Sequence, residues 1–358
     1  MPGVRIAGLG KYLPQRVLTN DDLARMVDTS DEWIRERSGI RERHLASDEE
    51  TASSMGLEAA RRALAVADME PDSLDLVLTA TTTPDGLFPS AASLIQDGLK
   101  AHRAGAFDIN AACTGFLAAL ATGSQFIATG ASRRVLVVGT EVLSRIIDWT
   151  DRGTCVIFGD GAGALVLEAA DRGGPLGIVL HSDGGGIGML NAPGPCGRRD
   201  QPARPFLISM DGRPVFKFAV NAMEEALREA LKAANLSPQD IDLFVPHQAN
   251  LRIINAATRA LRLPPEKVMI NIQRYGNTSS ASIPIALCEA WEEGRLHDGQ
   301  RVALASFGGG LAWGAIVLEW TQVGPSAREA VRLPAEDTTA HAAASERSNS
   351  PSAPLRRR

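Results

Sequence analysis

The chain has 358 residues and 44% hydrophobic composition, enough for a large buried core and for two α/β units or one large one. Its 37 basic and 42 acidic residues leave a formal charge of −5, which excludes a global field drawing in nucleic acid but leaves local basic patches open. The four cysteines, at 113, 155, 196 and 288, lack metal-ligand spacing and read as free thiols of a reducing compartment; no apolar run is long enough to span a bilayer.

The chain enters a β pattern almost at once, VRIAGLG from Val4, without a signal-peptide core, so the cytoplasm is the expected location. Residues 58–78, EAARRALAVADMEPDSLDLVL, read as an amphipathic helix, a proline turn and a strand. At 108–119, DINAACTGFLAA ends another strand, presents Cys113 and opens an apolar helix rich in small residues. The unpaired N–H groups and positive end of a helix favour a thiolate there, making Cys113 a candidate nucleophile. A buried packing cysteine is the competing explanation. GDGAG at 159–163 is not in the strand–helix setting of a dinucleotide fingerprint.

The second half is a faint copy of the first. Residues 225–245, EALREALKAANLSPQDIDLFV, align without gaps on 58–78 at an offset of 167, and the same offset lays VLVVG from Val135 over VALAS from Val302. Each copy is expected to run from helix to strand, through a further strand–helix unit, into a closing pair of strands. The break DRGGPLG at 171–177 suggests halves of 1–174 and 175–321, with 183–205 a loop inside the second. VPHQAN then places His247 after a strand stiffened by Pro246, and YGNTS places Asn277 before a small-residue helix. A surface histidine and a turn or cap asparagine are the bland alternatives. SFGGGL at 306–311 lets backbone N–H groups approach a ligand but lacks the residues of a P-loop. Residues 322–358 carry too few regularly placed apolar residues to demand a fold and read as a flexible tail.

A thiol, an imidazole and a neutral amide together suit acyl transfer through a thioester and, with a decarboxylating partner, carbon–carbon bond formation. The set DTSDEWI (28–34), RSGIRER (37–43), AACTGF (111–116), DRGT (151–154), FGDGAG (158–163), VPHQAN (245–250) and YGNTS (275–279) resembles the beta-ketoacyl-acyl-carrier-protein synthase III family of thiolase-like condensing enzymes, over about residues 3–320. The resemblance implies a five-layer αβαβα fold of two pseudo-repeated halves, assembled as a homodimer. It implies a catalytic triad of Cys113, His247 and Asn277, with the N–H groups of Cys113 and Gly309 as oxyanion hole. Trp33, Arg37, Arg152 and Asn250 would bind acyl-CoA, Phe307 would shape the malonyl end, and Phe88, Met189 and Leu190 would border the primer pocket. Lys217, Arg252 and Arg259 would dock acyl carrier protein, although the family often has a further basic residue where this chain has Ala260. The expected reaction joins an acyl-CoA primer, acetyl-CoA first, to malonyl-acyl carrier protein; CoA is then a substrate, and no metal, resident cofactor, membrane or nucleic acid is expected. A polyketide-starter condensation, a simple acyl transfer and a catalytically silent binding module are the alternatives.

Overall fold

Two sheets rich in apolar and β-branched residues lie on either side of a buried helical layer, in a computed structural model that describes residues 3–194, 206–321 and 323. The expected tail at 322–358 lies, Val323 apart, outside the described residues, as do residues 195–205 of the expected loop. The first sheet has the spatial order Gly3–Tyr12, Gly161–Ala170, Arg134–Glu141, Leu76–Ala80, Gly105–Ile109. Its last three strands are parallel, and the first two pairings are antiparallel. The four-stranded second sheet runs Leu243–Pro246, Arg301–Gly308, Ala312–Glu319, Gly174–Ser182; its first pairing is parallel and the other two are antiparallel.

The core divides by layer. Helix Ala52–Ala67 and helix Ala91–Leu99 cover the outer face of the first sheet with their alanine- and leucine-rich sides. Helices Gly212–Ala233 and Leu251–Ala260 cover the second in the same way. Between the sheets lie helices Gly115–Ala128 and Ser282–Glu292. Neither has a polar face, since each has protein on both sides; in the latter every residue from Ser282 to Trp291 is buried. These helices and sheets make the αβαβα arrangement of layers.

The repeat is visible atom by atom. Leu76 pairs with Val135 and Leu243 with Val302, both displaced by 167. Positive φ at non-glycine residues recurs at that offset, Asp68 with Asn235 and Ala112 with Ser279. Across the centre, a Cβ on Gly139 would lie 2.4 Å from the Ser280 carbonyl oxygen, while Ser306, its repeat-mate, donates to the Cys113 carbonyl at 2.7 Å. Cys113 therefore sits at the pseudo-twofold seam, touched by a strand of the opposite half.

One strand implied by the repeat does not form. Only an isolated bridge between Phe244 and Val268 stands in for a fifth strand of the second sheet, and Ile272–Tyr275 is a short helix. The reason is local: the side-chain oxygen of Gln248 accepts from the N–H groups of Asn271 and Ile272, which are thereby unavailable to a neighbouring strand.

A separate lobe packs Leu18, Ile34, Ile40 and Leu45 against Leu143, Val156 and Phe158. Its helix Asp31–Ser38 follows from TSDEWIRERSG: Ser30 caps the N-terminus, acidic residues fill the first turn, basic ones the last, and Gly39 adopts the left-handed closing conformation at φ 83°. At the lobe's centre the buried Arg43 bonds Leu18 and Val156 carbonyls and the Asn20 side chain; burial lowers its pKa to about 10.

Candidate active site

Cys113 lies in the turn Ala112–Thr114 that enters helix Gly115–Ala128, as the sequence implies. The close approach of strand Arg301–Gly308 requires glycine at 308, where a Cβ would come within 2.8 Å of the Cys113 nitrogen. The N–H of Cys113 lies against its own sulfur, and neither it nor the Gly309 N–H donates to a backbone carbonyl in the loops and turns among the described residues. The thiol itself departs from the expectation of a favoured thiolate. Cys113 is half-buried, and burial pushes its thiol up to about 12, against the pull of the Ser279 hydroxyl.

His247 follows strand Leu243–Pro246 and is almost fully buried. Its Nδ1 lies 3.0 Å from Ser282 Oγ, its ring meets Phe307 edge-on at 5.7 Å between centroids, and its Nε2 has no protein partner. Gln248 next to it is saturated, donating to the Pro246 and Met269 carbonyls, which fixes the backbone that carries the imidazole. Asn277 is tied to the strand-end segment before it, Phe158 bridging to it and its own N–H donating to the Ile157 carbonyl at 2.9 Å. Its Oδ1 accepts from the Ser279 N–H at 2.9 Å, leaving Nδ2 without a partner among the described residues.

Burial lowers the pKa of His247 from 6.5 to about 3. In the unfolded chain the imidazole takes up a proton below about 6.5, whereas the folded protein resists protonation until about 3. The folded state therefore loses stability as pH falls through that window, by at most about 1.4 kcal/mol per unit, and keeps this contribution in full above it. Urea unfolding at pH 7 and pH 5 should show wild type losing roughly 2 kcal/mol more than His247→Gln. Equal losses in both proteins would mean the imidazole is not held neutral.

A cavity of about 570 Å³ brings Cys113, His247 and Asn277 to a common surface. Phe307 and Leu190 line it, as do Ile157, Phe158 and Phe216, which sequence reasoning did not single out as wall residues. At its exposed end stand Arg37, Arg252 and Arg213, the last also unanticipated. Asn250 lines the wall with both ends of its amide engaged, donating to the Arg37 carbonyl and accepting from the Arg252 N–H. Lys217, Arg252 and Arg259 line a surface hollow that shares Phe216 and Arg252 with this cavity.

Other expected residues lie elsewhere. Trp33 is outside the cavity wall, its ring flanked by the guanidinium groups of Arg37 at 5.0 Å and Arg152 at 4.9 Å. Gly308 rather than Gly309 lines the cavity. Met189 packs into the outer core of the second half, one residue from the cavity-lining Leu190. Phe88 is 87% exposed and does not line this chain's cavity. Sequence reasoning also missed Glu141, a fully buried carboxylate beside Cys113 that receives the hydroxyls of Thr82, Thr83, Ser279 and Ser280. Burial raises its pKa.

Comparison with known proteins points one way. Residues 107–184 match the family description 3-oxoacyl-[acyl-carrier-protein (ACP)] synthase III, and residues 231–320 match its C-terminal counterpart. The chain is 50% identical to the beta-ketoacyl-[acyl-carrier-protein] synthase III of Methylococcus capsulatus over 316 residues, covering 88% of this chain and 98% of that one. The crystal structure of 3-oxoacyl-[acyl-carrier-protein] synthase III from Aquifex aeolicus VF5 superimposes with a TM-score of 0.85 at 48% identity, covering 89% of this chain and all of that one. A priming beta-ketosynthase from the R1128 polyketide biosynthetic pathway is similar at 38% identity and a TM-score of 0.83, over 90% and 98% of the two chains. With its duplicated layers and its cysteine, histidine and asparagine around one cavity, this chain belongs to the 3-oxoacyl-[acyl-carrier-protein] synthase III family.

Proposed function

We propose that the protein condenses an acyl-CoA primer, acetyl-CoA first among candidates, with malonyl-acyl carrier protein, giving 3-oxoacyl-acyl carrier protein, CoA and carbon dioxide and so initiating fatty-acid synthesis. The observation that carries this reading is the single cavity onto which a thiol, a buried unpartnered imidazole nitrogen and an uncommitted amide nitrogen open, with arginines at its exposed end.

In the first half-reaction the sulfur of Cys113 attacks the primer thioester. The Cys113 and Gly309 N–H groups receive the developing oxyanion, and CoA leaves carrying the proton that the thiol gives up. Trp33 stacks on the adenine, Arg37 and Arg152 take the phosphates, and Asn250 borders the pantetheine arm. In the second, His247 and Asn277 donate to the malonyl thioester carbonyl as carbon dioxide departs. The resulting enolate carbon attacks acyl-Cys113, the carbon–sulfur bond breaks, and the released thiolate regains a proton from solvent. Phe307 confines the malonyl end.

Lys217, Arg252 and Arg259 attract the acidic carrier protein to the hollow beside the cavity. The exposed Leu87 and Phe88, together with Phe107 on the open edge strand Gly105–Ile109, support a homodimer in which Phe88 reaches the partner's primer pocket. Met189 and Leu190 border that pocket from within the chain. Among the described residues no helix is long and apolar enough to cross a membrane, and we place the enzyme in the cytoplasm. The similarity to a polyketide priming synthase keeps a second reading in view, the same chemistry with another carrier.

Mass analysis of the product decides the reaction class. Acetyl-CoA with malonyl-acyl carrier protein should yield a carrier bearing a 3-oxobutanoyl group and one carbon dioxide per CoA released. An acyl group transferred unchanged, with malonyl-carrier left intact, would contradict condensation.

A further inference from the structure

We propose that Ser282 is a positioning residue that sets the tautomer of His247, keeping the ring proton on Nε2 so that the imidazole meets the malonyl carbonyl as a neutral donor. What the donor meets rests on the reading above; the tautomer itself does not.

Ser282 opens helix Ser282–Glu292 and is 2% exposed. Its Oγ lies 2.7 Å from the Gln248 nitrogen, and a backbone N–H can only donate, so one lone pair is used there. The other close group is His247 Nδ1 at 3.0 Å. Among the described residues the Ser282 hydroxyl has no further acceptor, so its single proton goes to Nδ1. The opposite arrangement, Nδ1–H donating to Oγ, would strand the serine proton in a site closed to water, at the cost of an unmade buried hydrogen bond. With Nδ1 accepting, a neutral ring carries its proton on Nε2, the nitrogen that has no protein partner. The burial that depresses the imidazole's pKa keeps the ring neutral at working pH.

The repeat gives an independent sign that the serine belongs with the histidine. At the offset of 167, His247 corresponds to Ala80 and Ser282 to Gly115. The half without the imidazole also lacks the hydroxyl, although both helices enter the same buried layer. A purely structural role at the helix start would apply equally to both.

The test reads the resting enzyme first. In histidine-labelled nitrogen NMR, the His247 signals are assigned by their loss in His247→Asn. Wild type should show a protonated Nε2 and an unprotonated, pyridine-type Nδ1. Ser282→Ala should shift this towards a tautomer mixture and slow condensation about tenfold, while acyl-Cys113 formation stays within about threefold, as expected for losing one ordering hydrogen bond. Ser282→Thr, which keeps a hydroxyl, should restore both spectrum and rate. If the alanine variant does not fold, the wild-type spectrum alone decides. A proton found on Nδ1, or a Ser282→Ala enzyme that condenses at the wild-type rate, overturns the proposal. Failure of the wild-type enzyme to form any acyl-Cys113 would sink the functional reading instead, and the resting spectrum would still report the tautomer.

Discussion

Cys113→Ala is expected to abolish covalent acyl capture and to cut condensation by on the order of 10⁴-fold or more, because no other group at the site can hold the primer while CoA departs. The other cysteines with described surroundings, Cys155 and Cys288, are buried away from the cavity and offer no substitute. The change removes one sulfur from a position already open to the cavity, and it leaves the contacts of Gly308 and Ser306 with the backbone at 113 in place. Thermal stability should therefore stay close to wild type, which separates lost chemistry from lost fold. A variant that still gains the mass of a primer acyl group would show that the nucleophile lies elsewhere.

Asn277→Ala should divide the two half-reactions. The amide's Oδ1 is committed to the Ser279 N–H, so Nδ2 is the end available to substrate. Losing a donor aimed at developing negative charge costs about 10²- to 10³-fold. That loss should fall on condensation, while acylation of Cys113 by acyl-CoA changes by no more than about threefold, since the oxyanion of that step rests on backbone N–H groups. Alanine also strips the acceptor from the Ser279 N–H, and Ser279 touches Glu141. Asn277→Asp supplies the control: it keeps an oxygen for Ser279 but replaces the donor with negative charge. It should condense no better than the alanine variant. Rapid condensation by Asn277→Asp would mean that position 277 matters for the turn alone.

Much of this was legible in the sequence, and the reasons are specific. Cys113, His247 and Asn277 each stand between an apolar run and a break rich in Gly, Pro, Asn or Ser, so their places at element ends could be read directly. The ungapped offset of 167 made the duplication readable, and the matched positive φ at Ala112 and Ser279 follows from it; only the structure places Cys113 on the seam between the halves. The offset misled at 272–276, where the Gln248 side chain takes the backbone donors a strand would need.

The residues that escaped notice act through contacts distant in sequence. Glu141 looks like any strand-end carboxylate until Thr82, Thr83, Ser279 and Ser280 are seen to converge on it. Ser282 sits in the run SSAS, whose hydroxyls are indistinguishable one from another until His247 and Gln248 pick it out. Phe158 belonged to a recognised motif, yet only packing shows its ring as a cavity wall. The favoured thiolate was read from the helix start, which is visible in sequence, whereas the burial that opposes it is not.

The most direct test of the central claim is intact-protein mass spectrometry of the enzyme mixed with acetyl-CoA, followed by a chase with malonyl-acyl carrier protein. The account predicts one acetyl group on each chain, mapped by peptide fragmentation to Cys113 and discharged on the chase as 3-oxobutanoyl-carrier protein appears. Product formed with no acetylated enzyme at any time, or an acetyl group on Cys113 that the chase leaves in place, would contradict it.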